Sequence, residues 1–387
     1  MHAFSSLAKT ALACILTLGT VVAAPVTAKT LRYATGYPAG SDAAVAAENY
    51  AKAVKEHSEG DLSIRVFPMS LLSAAETSNG IRDGMADIGY LLTIYTPGEY
   101  PHTNLLNDAS MQLLFLEKAS GKEALAYAGA LTEFTVFNCP ECHQEFAAQN
   151  QVYTGGGSSS NYGLLCTTPV KTLDDLKGKR IRIAGSHWAR WVSSVGATPV
   201  SLTINEVYEA LSQGVVDCNI QSAPELINLR LIDAVKAITI AVPGGVYAGV
   251  GSANVNAETW RSLNEKQRAA MLRGGAVMTA EVAWGYEESA GKALAETKQR
   301  GISLLEPDAA LLENARTFAK ADMKTIVDAY QTQYKVDPKR AQELLQQFSG
   351  TLEKWVGLVQ DVDTKEKLID LYWNEIFSKL DVKTYGM

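Results

Sequence analysis

The stretch Thr172–Gln221, TLDDLKGKRIRIAGSHWARWVSSVGATPVSLTINEVYEALSQGVVDCNIQ, punctuates itself as helix, strand, helix, helix and strand, an order open to few architectures. Thr172 and Asp175 stand at capping-box spacing, a hydroxyl and a carboxylate placed to satisfy the first free amides of a helix. Gly178 can end that helix in a left-handed conformation. Through Lys179–Ala184 the period-2 alternation sends Ile181 and Ile183 to one face and Arg180 and Arg182 to the other, as in a strand. Thr203 and Glu206 repeat the capping box, Val207, Ala210 and Leu211 form an apolar stripe, and Gly214 stops the helix before a strand over Val215–Ile220. Such α/β sheets bind ligands beyond the carboxyl ends of their strands, where this segment aims an arginine and several amides.

The N-terminus predicts a secretory leader over residues 1–28. Lys9 supplies the positive region, Thr10–Ala23 the apolar region and Val26-Thr27-Ala28 the cleavage site, so the mature chain is expected to start near Lys29. About 14 apolar residues are too few to span a bilayer, which needs roughly 20. Cys14 would suit a lipoprotein, but only four residues part it from Lys9, too short an apolar region, and lipidation is not expected. The mature chain is therefore expected in the periplasm and not itself membrane-spanning. The formal charge of −7 becomes −8 once Lys9 is removed, which argues against nucleic acid as a partner. An anionic ligand remains compatible with that charge, since one buried arginine dominates a small closed site. Cys139, Cys142, Cys166 and Cys218 remain after cleavage, an even number that permits disulfides without fixing their pairing.

Upstream, Leu31–Thr35 reads as a strand, and Ser41 as the N-cap of a helix over Asp42–His57 with Ala43, Ala47, Tyr50 and Val54 on one stripe. Leu62–Phe67 is the next strand, Ser73 and Glu76 cap a helix ending at Gly84, and Ala86–Tyr90 is a third strand. Gly84-Met85-Ala86-Asp87 follows its helix as Gly214-Val215-Val216-Asp217 follows its own, which predicts two similar α/β lobes. Residues 100–150 are the least legible and read as an insertion with helical content over Leu113–Leu131. Gly155-Gly156-Gly157-Ser158-Ser159-Ser160 fits a hinge crossing; a phosphate loop would need the Walker lysine and hydroxyl, which are missing. From Ala257 to Ser349 helices dominate.

The words LKGKRIRIAG at Leu176–Gly185, VGATPV at Val195–Val200 and NEVYEALSQGVVD at Asn205–Asp217 carry a family resemblance in spacing and residue type. The chain resembles the solute-binding proteins of TRAP (tripartite ATP-independent periplasmic) transporters, the DctP-like family, loosely over nearly all of its mature length. That resemblance implies an α/β fold of two lobes around a cleft, with long C-terminal helices. Lobe I would comprise 29–159 with 249–287, lobe II 160–248 with 288–350, and a helical cover 351–387. It implies capture of a small organic anion, a carboxylate with an aromatic body or a sulfonate, for delivery to membrane permease subunits, with no cofactor and no catalysis.

The resemblance also implies a site. Arg182, fifth residue of a GxxxR pattern beginning at Gly178, falls where the family grips the ligand's acid group, a role suited to the guanidinium's rigid fork. Arg180 reads as a surface arginine. Gln221 stands where the family has an asparagine in GQENP, here CNIQS, so the amide persists on a longer side chain while Cys218 replaces a glycine. Asn219 is a weaker candidate. Tyr162 falls where some relatives carry a second arginine, an argument against a sialic-acid-like ligand. Trp188, His187, Tyr95, Thr93, Tyr37 and Tyr247 are candidate walls, each also explicable as ordinary packing.

Cys139-Pro140-Glu141-Cys142-His143 spells C-x-x-C-H, the attachment pattern of c-type haem, and gives an alternative: an exported redox protein. A local disulfide explains the same residues. The few histidines show no zinc-ligand spacing, and neither G-x-S-x-G nor H-E-x-x-H occurs, so no metal and no enzyme activity is expected.

Overall fold

The computed structural model describes residues 29–119 and 121–387; the leader and Cys14 lie outside them. The first sheet begins with β1 (Lys29–Thr35), α1 (Asp42–His57), β2 (Leu62–Pro68), α2 (Thr77–Arg82) and β3 (Ile88–Leu92). The three strands run parallel with β1 in the middle. Ser41 Oγ accepts the Ala44 amide at 3.3 Å to start α1, whose buried stripe includes Ala43, Ala47, Tyr50 and Val54. Next come α3 (Pro101–Asp108), α4 (Glu123–Phe137) and α5 (Pro140–Ala148), then β4 (Gln151–Val152). The helix of this excursion begins at Glu123, later than the sequence suggested, and Ala109–Phe115 before it forms a 3₁₀ turn.

Residues 153–161 then cross, mostly buried and without regular structure, to a second sheet. It is built from β5 (Tyr162–Cys166), α6 (Leu173–Leu176), β6 (Arg180–Ile183), α7 (Ser186–Ser194), β7 (Thr198–Ser201), α8 (Val207–Ser212), β8 (Cys218–Ser222), α9 (Glu225–Asn228) and β9 (Ala237–Thr239). The chain returns to the first sheet as β10 (Val250–Asn256), continues through α10 (Ala257–Arg261) and α11 (Glu265–Gln299), and adds β11 (Ser303–Leu305) to the second. The strand orders are β2-β1-β3-β10-β4 and β11-β9-β5-β8-β6-β7. This is a two-lobe α/β protein.

Both capping boxes of the Thr172–Gln221 segment close as their spacing requires, at Thr172/Asp175 and Thr203/Glu206. The repeated Gly-x-x-Asp text has one structural meaning in both lobes. Gly84 (φ +72°) and Gly214 (φ +67°) take left-handed turns that a side chain would strain. Three residues on, Asp87 accepts the Arg32 amide at 2.7 Å and its Nε at 3.0 Å, while Asp217 accepts the Arg180 amide at 2.8 Å and its Nε at 3.2 Å. The carboxylate thus locks its strand to the neighbouring parallel strand. Arg180 is committed to that clamp, and its guanidinium holds Asp217 below the usual carboxylate range.

The 35-residue α11 joins the lobes: Met271–Tyr286 bury in the core of the first sheet, Ala293 and Leu294 in that of the second. It approaches the interlobe crossing closely enough that a Cβ on Gly275 would lie 1.9 Å from the Thr154 carbonyl. The last helices are α12 (Ala309–Tyr334), α13 (Pro338–Leu358) and α14 (Lys365–Glu375). α13 packs on α3 and α4, and α14 on α4 and α11, so the C-terminal segment roofs the 101–150 excursion.

Among the described residues two disulfides form. Cys166 and Cys218 join partners in register on antiparallel β5 and β8, and Cys139 bonds Cys142 at the start of α5. The second bond corrects the haem alternative. Both sulfurs that haem would need are spent on each other, and His143 Nε2 hydrogen-bonds the Val136 carbonyl at 2.9 Å.

Candidate functional site

The site forms where the carboxyl ends of β6 and β8 face the first lobe. Parallel pairing sets Arg182 beside Asn219, and the period of 2 returns Gln221 to the same face. Arg182 is fully buried. Its Nε and Nη2 donate to the Leu202 carbonyl at 3.0 and 2.8 Å, and Nη1 donates to Gln221 Oε1 at 2.6 Å. Two further contacts, Nη1 to Asn219 Oδ1 and Nη2 to Tyr95 Oη, are 3.4 Å long, beyond the range of good hydrogen bonds. Every one of these partners is neutral. Water cannot reach the guanidinium, and none of these contacts neutralises it, which for a buried cation is costly. Its Nη1/Nη2 edge, held only by the two long contacts and Gln221, is the face on which a carboxylate could make two parallel bonds.

The structure brings most of the sequence candidates to this point. Tyr95, from the turn after β3, reaches across the lobes and accepts the Ile204 amide at 2.8 Å as well as touching Arg182. Tyr162 and Trp188 stack at 4.2 Å with planes 7° apart, and the Trp188 indole donates to the Gly244 carbonyl at 3.0 Å. His187 instead turns to Asp108, 3.0 Å away and fully buried with it. Thr93 and Tyr247 both donate to the Gly249 carbonyl, at 2.8 and 2.6 Å, and the Ile94 amide donates to Tyr247 Oη. Their hydroxyls therefore fix the wall from which Tyr95 projects. Tyr37 packs edge-on against Tyr90, with ring centres 5.6 Å apart.

Sequence reasoning missed Glu225 and ranked Asn219 low. Among the described residues Asn219 Nδ2 is buried without a partner, and so is Glu225 Oε2. Burial pushes the Glu225 carboxyl up to about 7. A proline followed by an acidic residue reads as an ordinary helix start, so Glu225 left no signal of its own.

Partners of Arg182 line cavities on both sides. One of ≈ 260 Å³ is lined by Ser160, Tyr162, Gln221 and Glu287; the other, also ≈ 260 Å³, by Tyr95, Leu202, Asp108 and Tyr330. The lobes meet through direct polar clips. Asn205 donates to the Gly36 carbonyl at 2.9 Å and accepts the Ala74 amide at 3.3 Å, and Asn228 exchanges two bonds with Asp42 at 3.0 and 3.2 Å. Among the described residues no helix is long and apolar enough to cross a membrane, and no cluster of three or more His, Cys, Asp or Glu could hold a metal ion.

Two α/β lobes that enclose an arginine between their strand ends define a two-lobe periplasmic binding protein. More particularly, the chain belongs to the bacterial extracellular solute-binding proteins of family 7, DctP, whose model matches residues 33–330. A solute-binding protein of Albidiferax ferrireducens is 24% identical over 233 residues, 59% of this chain and 65% of that relative, so the chain spans less than two-thirds of its length. A TRAP solute-binding protein from a marine metagenome, specific for pyroglutamate and crystallised with it, superposes with a TM-score of 0.67 at 17% identity, over 83% of this chain and 99% of that one. A TRAP solute-binding protein of Bordetella bronchiseptica with bound mandelate gives 0.67 at 19% identity, over 85% and 99%.

Proposed function

We propose that this chain is the extracytoplasmic receptor of a TRAP transporter, which captures a small organic acid between its lobes and delivers it to membrane permease subunits. The observation that carries the reading is Arg182: a fully buried guanidinium hydrogen-bonded, among the described residues, only to neutral groups. In this reading its Nη edge holds the ligand's carboxylate, Asn219 and Gln221 orient it, Tyr95 closes from the other lobe, and the Tyr162–Trp188 stack offers a flat wall to the ligand body. Tyr37 lines the far side, while Thr93 and Tyr247 act by fixing the turn that carries Tyr95. The pyroglutamate and mandelate bound by two proteins of the same fold are acids of suitable size. The 153–161 and 240–249 crossings serve as hinge strands between a lobe comprising 29–159 with 249–287 and a lobe centred on 160–248. Closure is favoured because only the closed form lets Arg182 and Tyr95 touch the ligand together. The leader predicted over residues 1–28 would export the chain, and the receptor performs no chemistry.

A thermal-shift screen of organic acids, starting with mandelate and pyroglutamate, should raise the melting temperature with at least one of them. Arg182→Ala should then weaken that acid by roughly 3–5 kcal/mol in titration calorimetry, the cost of breaking a buried pair. An unchanged affinity removes Arg182 from the site and the reading with it.

A further inference from the structure

Glu225 is 1% exposed, and nothing in the reading so far uses it. It opens α9 three residues after β8 ends, on the cleft side of the second lobe, close to the Asn228–Asp42 clip. Tyr286 of α11 donates to its Oε1 at 2.7 Å and the Asn228 side chain lies beside the carboxyl, but among the described residues no hydrogen bond of good geometry reaches the enclosed Oε2. A buried acceptor left unfilled is expensive, and native proteins seldom keep one without a use. Tyr37, Tyr90, Tyr95, Tyr162 and Tyr286 all feel the Glu225 charge, and Tyr95 and Tyr162 also feel that of Arg182. Gln221, which holds the Arg182 fork, and Ala223, two residues before Glu225, line one cavity with Tyr162, and Arg182 lies within electrostatic reach of Glu225.

We infer that Glu225 is a ligand-contacting specificity residue, its free oxygen receiving the protonated amine of a zwitterionic organic acid whose carboxylate lies on Arg182. The inference rests on the anion-binding reading and narrows it to amino or imino acids. A neutral hydroxyl could fill the empty acceptor, but a cation also holds ionised a carboxyl that burial otherwise drives toward protonation. Asp42 adds a second negative group that acts on Glu225, held by Asn228 and Ser289 at 3.0 and 2.7 Å. Phenol rings on the flanks suit an ammonium, which is drawn to aromatic faces.

The test is calorimetry on the mature protein with matched probes: phenylglycine against phenylacetate, phenylalanine against 3-phenylpropanoate, and proline against cyclopentanecarboxylate. In at least one pair the amine-bearing member should bind tenfold or more tighter. Glu225→Gln should abolish that preference, and Arg182→Ala should weaken both members together. Equal binding within every pair, tighter binding of the des-amino acid, or a preference that survives Glu225→Gln overturns the inference and leaves the anion receptor standing. If no acid of either kind binds, both readings fall. The wild-type comparison decides alone if Glu225→Gln does not fold.

Discussion

At the scale of single residues, the site is defined by groups whose needs the protein leaves unmet. Among the described residues Arg182 is buried with neutral partners, and Asn219 Nδ2 and Glu225 Oε2 are buried with none. Glu287, also largely buried, accepts the Ala124 amide at 2.9 Å, and burial pushes it, like Glu225, up to about 7 from an ordinary value of 4.5. This has a consequence for stability. Between about pH 4.5 and about pH 7 the folded chain holds protons on these carboxyls that the unfolded chain has already lost, so folding is favoured at the acid end. The contribution fades as pH rises through that window. Each group accounts for on the order of 3 kcal/mol across it. Urea denaturation without added acid should therefore give a higher unfolding free energy at about pH 5 than at about pH 7.5, and Glu225→Gln should flatten the slope by roughly half. A stability that rises over this interval would show that neither carboxyl is protonated in the native state.

At the scale of elements, what could be read beforehand was what local chemistry dictates. The capping boxes at Thr172/Asp175 and Thr203/Glu206 and the left-handed turns at Gly84 and Gly214 depend on residues within four positions of each other, and each formed as its spacing required. The purpose of the repeated aspartate was hidden, because Asp87 clamps Arg32 across 55 positions and Asp217 clamps Arg180 across 37. The 101–150 excursion was illegible for another reason: α4 is buried around nearly its whole circumference, under α13 and α14, and so shows no apolar stripe to count. Cysteine pairing was likewise a matter of tertiary register. The Cys166–Cys218 bond closes 52 residues of chain, a constraint on the unfolded state of about 4 kcal/mol, whereas Cys139–Cys142 closes a loop of separation 3 with correspondingly less effect. Cys166→Ser/Cys218→Ser should thus lower the urea midpoint clearly more than Cys139→Ser/Cys142→Ser. Equal losses would mean that Cys139–Cys142 acts through native packing and not through chain entropy.

At the scale of the whole molecule, function depends on the balance between open and closed lobes. That balance is set by few contacts, of which the clips at Asn205 and Asn228 are separable from the Arg182 end of the site. They contribute four hydrogen bonds between the lobes, at 2.9, 3.3, 3.0 and 3.2 Å, and none involves Arg182 or Gln221. Hydrogen bonds of this kind are worth about 1 kcal/mol each net, less when water replaces them on opening. Removing all four should shift the opening equilibrium by about 1–3 kcal/mol toward the open form without unfolding either lobe. A ligand that needs the closed form then binds more weakly, in proportion to the fraction of molecules able to close. For Asn205→Ala/Asn228→Ala we expect a larger radius of gyration by small-angle scattering in the absence of acid, and recovery of the compact value at saturation. Affinity for the acid found by screening should fall several-fold to about a hundredfold, mostly through faster dissociation. If radius and affinity both stay at their wild-type values, the clips are passive, and the opening equilibrium is governed by the hinge strands and the contacts of Asp108 with Ser186, His187 and Tyr330.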